Sequence, residues 1–163
     1  PSSRRPGPPP QAATPATATA QQLSTATLCL LNQQRAANGL RPLREQHKLE
    51  KAAVKYSKLM VKGQFFDHVS PSGSTLASRV TKTKYTKGAR RWSLGENIAW
   101  GTGDRSTPAS IVDAWMHSPG HKANILDPTF KEIGIGIASG APVATASASS
   151  AGATYTTDFG FRS

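Results

Sequence analysis

The sequence is poor in cysteine and lacks long apolar runs, and each absence excludes a class of protein. Cys29 is the one cysteine among 163 residues, so the chain is not a disulfide-stapled scaffold. It lies in the apolar run Leu28–Leu31, which predicts a small buried side chain; half of a disulfide with a partner outside this chain is the alternative. No apolar stretch reaches the roughly 18 residues of a membrane span, so we expect no transmembrane segment.

Acidic residues are also scarce. There are 9 Asp and Glu against 20 Lys and Arg, a formal net charge of +11. Such a charge attracts polyanions, among them nucleic acid, acidic polysaccharide, teichoic-acid-like polymers and anionic lipid. The densest basic group is one short segment: Lys82, Lys84, Lys87, Arg90 and Arg91. Neither an aromatic RNA-binding signature nor a helix-turn-helix pattern accompanies it, so we expect no specific nucleic-acid site.

The composition divides the chain into a tail and one domain. Residues 1–20 are rich in proline, alanine and threonine and cannot bury enough apolar surface to fold. We interpret them as a disordered linker, of the kind that tethers a domain to a cell wall or membrane anchor. Residues 21–163 have the length of one domain with its own core. We expect a monomer.

Apolar spacing predicts helices over 21–38 and 47–63. The first has one shared face, formed by Leu23, Thr27, Leu30, Leu31 and Gln34. A short helix capped by Ser74 is predicted next, and another that begins at Thr107 and Pro108, because proline is favoured in a first turn.

Alternating apolar residues predict strands over 92–100, 130–138 and 153–162, the last two joined by a flexible loop over 139–152. Gly134 and Gly136 alternate with isoleucine, which lets a helix or another chain segment approach that strand closely. The order of elements favours an α+β fold: an α-β-α sandwich with a small antiparallel sheet covered by helices on both faces.

The stretch Trp115–Leu126 combines a large aromatic residue, two histidines and a Pro-Gly pair. We expect the apolar helix before it to end here, because Pro119 cannot continue a helix and Gly120 permits a sharp turn. This interpretation places His121 at a bend rather than on a smooth helix face.

Four residues are candidates for chemistry: His68, Glu96, His117 and His121. Imidazole and carboxylate groups are zinc ligands, and Glu96 shares a strand face with large apolar residues, which is unusual for a carboxylate. His117 and His121 are spaced as in the helical zinc motif of metalloproteases, but no Glu follows His117 and a Pro-Gly pair interrupts the helix. We reject that motif, and spacing alone leaves open whether the other three residues converge.

Six blocks occur in a characteristic order, and they are listed by range: 31–43, 67–71, 95–100, 115–126, 133–136 and 155–160. Among them are Gly95-Glu96-Asn97-Ile98-Ala99-Trp100 and Ser118-Pro119-Gly120-His121-Lys122. Over residues 22–163 the chain resembles the CAP superfamily, the group of cysteine-rich secretory proteins, antigen-5 allergens and pathogenesis-related-1 proteins, also called the SCP domain. The chain lacks the set of cysteines found in eukaryotic members, and in this it resembles the shorter bacterial branch.

The resemblance implies a cavity lined by two histidines and two acids. The matching positions are His68, His121 and Glu96, whereas the second acid is replaced by Ser118. Asp113 lies nearby as a substitute, although we do not expect it to act as one. His117 has no counterpart, and we interpret it as a solvated residue at a helix end.

The resemblance also implies that His68 and His121 hold zinc or another divalent metal in some members. The alternative is that His121 and Glu96 form a hydrogen-bonded structural pair that ties a bend to the sheet.

Two functions are compatible with these residues. The first is a secreted or surface-displayed protein that acts by binding, with no robust catalysis, its ligand being a lipid or sterol or an anionic cell-envelope polymer. The second is a zinc-dependent, peptidase-like hydrolase in which His68 and His121 hold the metal and Glu96 orients or deprotonates a water. The basic charge and the missing second acid favour binding.

Overall fold

The computed structural model describes residues 18–144 and 151–163. In chain order its elements are α1 (Ala20–Ala37), β1 (Arg44–Glu45), α2 (His47–Gly63), α3 (Leu76–Lys82), β2 (Trp92–Thr102), a short 3-10 helix (Gly103–Ser106), α4 (Pro108–Met116), α5 (Pro119–Ile125), β3 (Glu132–Ser139) and β4 (Gly152–Arg162). Most of the predicted linker and part of the predicted 139–152 loop lie outside the described residues. Within them, no helix combines the length and apolar character needed to cross a bilayer.

The sheet has the strand order β1-β3-β4-β2. The central strand β4 runs antiparallel to both β2 and β3, as the sequence predicts. β1 adds a parallel edge to β3, which makes the complete sheet mixed. Two residues are too few to show an alternating pattern, so this strand has no signature in the sequence.

Helices cover both faces of the sheet, which confirms the α-β-α sandwich. α2 lies against one face, where Ser57 Oγ donates to the Gly136 carbonyl oxygen at 2.9 Å. A Cβ at Gly134 or Gly136 would collide with the α2 backbone, so these two glycines permit the predicted close approach. α1, α4 and α5 cover the other face around a core that includes Trp115 and Tyr155.

The Pro-Gly pair begins a new helix, α5, and does not form a sharp turn. α4 ends at Met116, and α5 begins at Pro119 after Ser118 in an extended conformation. Proline suits the first position of a helix, where its missing N–H is not needed, and it favours extended backbone in the residue before it. The predicted bend at His121 is therefore wrong: His121 lies in the first turn of α5.

Two predictions for α1 are also corrected. Cys29 is exposed rather than buried. The buried face ends in Arg35, which is 2% exposed, instead of Gln34. The Arg35 guanidinium donates to the carbonyl oxygens of Ile125, Asp127 and Phe130, so a charged side chain fixes the loop between α5 and β3. Short-range spacing does not reveal such distant carbonyl partners.

Candidate functional site

Glu96 is the buried centre of a polar cluster that also includes His68, whose side chain is 53% exposed. It lies in β2 on the sheet face that α2 covers, and its side chain is 2% exposed. His68 Nδ1 lies 2.8 Å from Glu96 Oε1, and Arg79 Nη2 donates to Glu96 Oε2 at 2.6 Å. An ionised carboxylate only accepts hydrogen bonds, so the proton between His68 and Glu96 resides on Nδ1. The structure thus brings two of the sequence-predicted residues into direct contact.

Arg79 holds this cluster together and was not predicted from the sequence. Its Nη1 donates to the carbonyl oxygens of His68 at 3.0 Å and Ser74 at 2.9 Å. Its guanidinium carbon lies 3.4 Å from the centre of the Tyr56 ring, a cation–π contact. Helical spacing could have predicted that Arg79 is buried, because it lies three residues after Leu76 and next to Val80 on the apolar side of α3.

Asp158 is the second missed residue. It lies directly opposite Glu96 in the pairing of β2 with β4 and is fully buried. Neither carboxyl oxygen has a hydrogen-bond donor among the described residues. Burial, together with the negative charge of Glu96, raises the pKa of Asp158 well above its ordinary value. The raised pKa favours the protonated form of Asp158, whose O–H can donate to the carboxylate of Glu96 on the neighbouring strand.

The partners of Glu96 keep it ionised. Burial alone would raise the pKa of Glu96, but hydrogen bonds from His68 and Asp158 and the charge of Arg79 outweigh burial and lower it. The hydrogen bond to Glu96 in turn raises the pKa of His68, against the opposing effect of burial. The cluster is a carboxylate bonded to His68 and Arg79, with Asp158 beside it on the neighbouring strand.

His121 faces the same region from α5. Its Nδ1 lies 2.9 Å from Ser118 Oγ, and its ring centre lies 6.3 Å from that of Trp115. Burial lowers the pKa of His121, and the charge of His68 lowers it further. The predicted position of the second acid, Ser118, is thus in direct contact with His121.

A direct His121–Glu96 hydrogen bond, one of the alternatives from the sequence, is wrong. Asparagines make the connection instead: Asn97 Nδ2 donates to the His121 carbonyl oxygen at 3.1 Å, and Asn124 Nδ2 donates to the Glu96 carbonyl oxygen at 3.2 Å. α5 is therefore tied to β2 through side-chain amides.

His117 and Asp113 lie apart from this cluster. Their side chains are 77% and 75% exposed, and His117 Nδ1 lies 3.5 Å from Asp113 Oδ1. This exposure agrees with the prediction that His117 is a solvated helix-end residue, and it makes Asp113 unsuitable as a substitute for the second acid.

The two candidate metal ligands, His68 and His121, each use one ring nitrogen in a contact with a neighbouring side chain. That nitrogen is Nδ1 in both residues, which orients the ring and leaves Nε2 for a metal. In the described part of the chain, no group of three His, Cys, Asp or Glu side chains is arranged to share an ion. Two imidazoles, with water as the remaining ligands, do not provide the three protein ligands of a catalytic zinc site.

Basic side chains form a second feature next to the cluster. The outer side of α2 carries a row of five lysines at spacings of three and four residues, which are Lys48, Lys51, Lys55, Lys58 and Lys62. Lys48 Nζ donates to the Lys84 carbonyl oxygen at 3.3 Å, which joins this row to the basic segment 82–91. We call the row and the segment together the basic face. The sequence analysis recognised the segment and missed the row.

The fold and the order of the sequence blocks have a counterpart among known proteins. The family model of the cysteine-rich secretory protein family, CAP, matches residues 28–147. The chain belongs to this family, and it is similar to bacterial members. YkwD of Bacillus subtilis (strain 168) is 41% identical over 107 residues, which is 66% of this chain and 39% of YkwD. The chain thus spans about two fifths of that relative.

Solved structures agree with the family. An extracellular protein containing an SCP domain from Bacillus anthracis str. Ames matches with a TM-score of 0.65 and 26% identity, over 94% of this chain and 44% of that one. An outer surface protein from Borrelia burgdorferi has a TM-score of 0.71 at 20% identity, over 94% of this chain and 100% of that one, and shows the fold alone. The fold is that of CAP domains of the extracellular type.

Proposed function

We propose that this chain is a secreted or cell-surface binding protein whose ligand is an anionic polymer of the cell envelope. The basic face is the observation that carries the proposal. Its five α2 lysines extend over about 21 Å, so a polymer with repeated negative charges can contact several of them at once. Each added contact raises the overall affinity, because the first contact holds the polymer near the next lysine.

In this proposal the His68–Glu96–Arg79 cluster shapes the cavity and performs no hydrolysis. A general base must accept a proton, and the two oxygens of the Glu96 carboxylate already contact His68 Nδ1 and Arg79 Nη2. These donors lower its pKa, which makes it a weak base near neutral pH. The geometry therefore supports the binding function over the zinc-dependent hydrolase.

The same proposal includes a divalent metal held by the Nε2 atoms of His68 and His121. Calorimetric titration with Zn²⁺ tests it on three variants: His68→Ala, His121→Ala and, as a control, His117→Ala. We expect both cavity variants to lose most of the zinc affinity and the exposed control to keep it. Unchanged affinity in the His68→Ala/His121→Ala double variant would end the idea.

A lipid or sterol is the second candidate ligand. It is favoured by a groove of about 500 Å³ beside α4 and α5, lined by Met116, Pro119, Ala123 and Leu126 among others. A volume of this size suits a small apolar ligand. Displacement of a fluorescent fatty acid or sterol tests it: we expect Met116→Glu to weaken binding, and an unaffected variant would exclude this groove.

Binding to isolated cell walls tests the polymer proposal. One sample keeps its anionic polymers and a matched sample is stripped of them by mild extraction. We expect the protein to sediment with intact walls and to stay in solution with stripped walls. Equal binding to both samples would contradict the proposal and point to a neutral wall component.

A further inference from the structure

We propose that the cleft between α2 and α3 is a specific binding site for a phosphate ester, the point at which the basic face recognises one phosphate group rather than negative charge in general. The cleft has a volume of about 350 Å³. The inference rests on the proposed function only in taking the envelope polymer as the source of the phosphate.

The charges that line the cleft have one sign. Lys51 and Lys55 reach it from α2, and Arg79 and Lys82 from α3. No acidic side chain lines it among the described residues. Three flexible lysines around one hollow repel each other, and an anion between them removes this repulsion. A ligand with two or more negative oxygens is therefore favoured.

Hydroxyl groups and a fixed cation complete the wall. Ser72 and Ser74 lie on the loop before α3 and add donors that suit phosphate oxygens. Arg79 is held rigidly, with its side chain 9% exposed and both terminal nitrogens bonded to Glu96 and backbone carbonyl oxygens. Arg79 therefore provides a positive charge that need not move when a ligand binds, whereas the flexible lysine side chains move to contact the ligand.

The other lining residues indicate what is attached to the phosphate. Ala52, Leu59 and the Tyr56 ring form an apolar side of the cleft. Leu59 is 40% exposed, so its side chain can contact a ligand in the cleft. A carbon skeleton next to the phosphate, as in a polyol or sugar phosphate, covers this side, whereas inorganic phosphate does not.

The cleft also lies next to the His68–Glu96 cluster. Arg79 contacts both, because it lines the cleft and donates to Glu96 and to the His68 carbonyl oxygen. Arg79 is thus a positioning residue for the cleft, and its ion pair with Glu96 holds one wall in place. No ligand atom needs to reach Glu96 or His68 for the site to work.

Amide chemical-shift titration of the full chain tests the site, with glycerol 1-phosphate as the probe and inorganic phosphate and sulfate as comparisons. The variant Lys51→Gln/Lys55→Gln/Lys82→Gln removes the cleft lysines. The matched control Lys58→Gln/Lys62→Gln/Lys84→Gln removes the same charge from parts of the basic face outside the cleft. All six lysines are exposed, so both variants are expected to fold.

We expect glycerol 1-phosphate to shift amides around the cleft and to bind more tightly than the two inorganic ions. The cleft variant should lose at least about tenfold in affinity, and the control no more than about twofold to threefold. Equal losses in the two variants, or shifts spread over the surface, would overturn the site and leave only diffuse attraction.

The source of the phosphate is distinguished by repeating the titration with a soluble poly(glycerol phosphate) and with phosphatidylglycerol vesicles. Binding that requires the cleft lysines supports the site in either case, and the tighter probe identifies the source. If the ester binds in the cleft while stripped and intact walls bind the protein equally, the site stands and the proposed function fails. If the loss of the cleft lysines does not change polymer binding, the proposed site is wrong and the proposed function stands.

Discussion

Glu96 and Asp158 lie directly opposite each other on β2 and β4, and both carboxyl groups are buried. Two ionised carboxylates in such contact would repel strongly, so the pair keeps one proton. Glu96 carries the charge because Arg79 and His68 bond to it, and Asp158 is the neutral partner. The candidate site therefore contains two acids, although Ser118 replaces the acid that the family pattern places near His121.

Asp158→Asn should fold and should be at least as stable as the parent at neutral pH. The new amide group donates to Glu96 as the protonated Asp158 does. The raised pKa of Asp158 means that unfolding above about pH 4 releases a proton, so the parent loses stability as pH rises through this range. The amide of the variant has no such proton to release, and urea unfolding at several pH values should show a flatter profile on this side.

The comparison variant is Asp158→Ala, which removes the donor to Glu96 and leaves a hollow. It should lose about 1–3 kcal/mol at neutral pH. If Asp158→Asn is as unstable as Asp158→Ala, Asp158 is not a neutral donor.

Arg79→Met should destabilise the domain by about 3–5 kcal/mol, because it leaves a buried Glu96 without its cation. Adding Glu96→Gln should restore part of the loss, since the uncompensated charge is then gone. Arg91→Met, at an exposed position, is the control and should change the free energy of unfolding by less than about 0.5 kcal/mol. A loss below about 1 kcal/mol in Arg79→Met would argue against a central role of this ion pair.

The pKa values of His68 and His121 should depart in opposite directions from that of an ordinary histidine. In NMR titrations with a chelator present, we expect a raised pKa for His68 and a lowered pKa for His121. The contribution of His68 to stability is then complete below its unfolded pKa of about 6.5 and is lost as pH rises through the raised value. The effect of His121 is the reverse: stability is lost as pH falls through about 6.5.

Glu96→Gln is the diagnostic variant for this titration, because it removes the charge that stabilises protonated His68. The pKa of His68 should fall in this variant. A His68 pKa that stays raised without Glu96 would show that another group causes the shift.

Ser118→Glu should strengthen metal binding. A carboxylate in place of Ser118 Oγ would accept from His121 Nδ1, raise the pKa of His121 and make its Nε2 a better ligand. We expect Zn²⁺ affinity to rise by about tenfold in calorimetric titrations, with Asp113→Asn as a silent control. Unaltered or weaker zinc binding would mean that Ser118 does not occupy the position of the second acid.

Local features of the sequence predict much of this fold. The spacing of apolar residues predicts α2 at its observed bounds, and glycines between isoleucines predict a close approach to β3, which the structure shows to be made by α2. The interpretation of the Pro119-Gly120 pair failed because a proline that ends one helix is also suited to begin the next. β1 was not predicted, because a strand of two residues forms only by pairing with β3 and has no pattern of its own in the sequence.

The site is less predictable because its contacts join distant parts of the chain. His68 and Glu96 are identified by the family pattern, but the sequence alone does not show that Arg79 and Asp158 complete their hydrogen bonds. Asp158 becomes significant only through the β2–β4 register, which sets it against Glu96. The lysine row could have been predicted from the sequence, because lysines spaced three and four residues apart lie on one side of a helix.

The central claim is that the basic face binds an anionic envelope polymer. The most direct measurement is the dissociation constant for soluble poly(glycerol phosphate) across a series of salt concentrations, with a neutral glucan as the comparison. We predict tight binding at low salt that weakens steeply as salt screens the lysines, and no binding of the glucan. Absent binding at low salt, or an affinity for the polymer that does not depend on salt, would contradict the account.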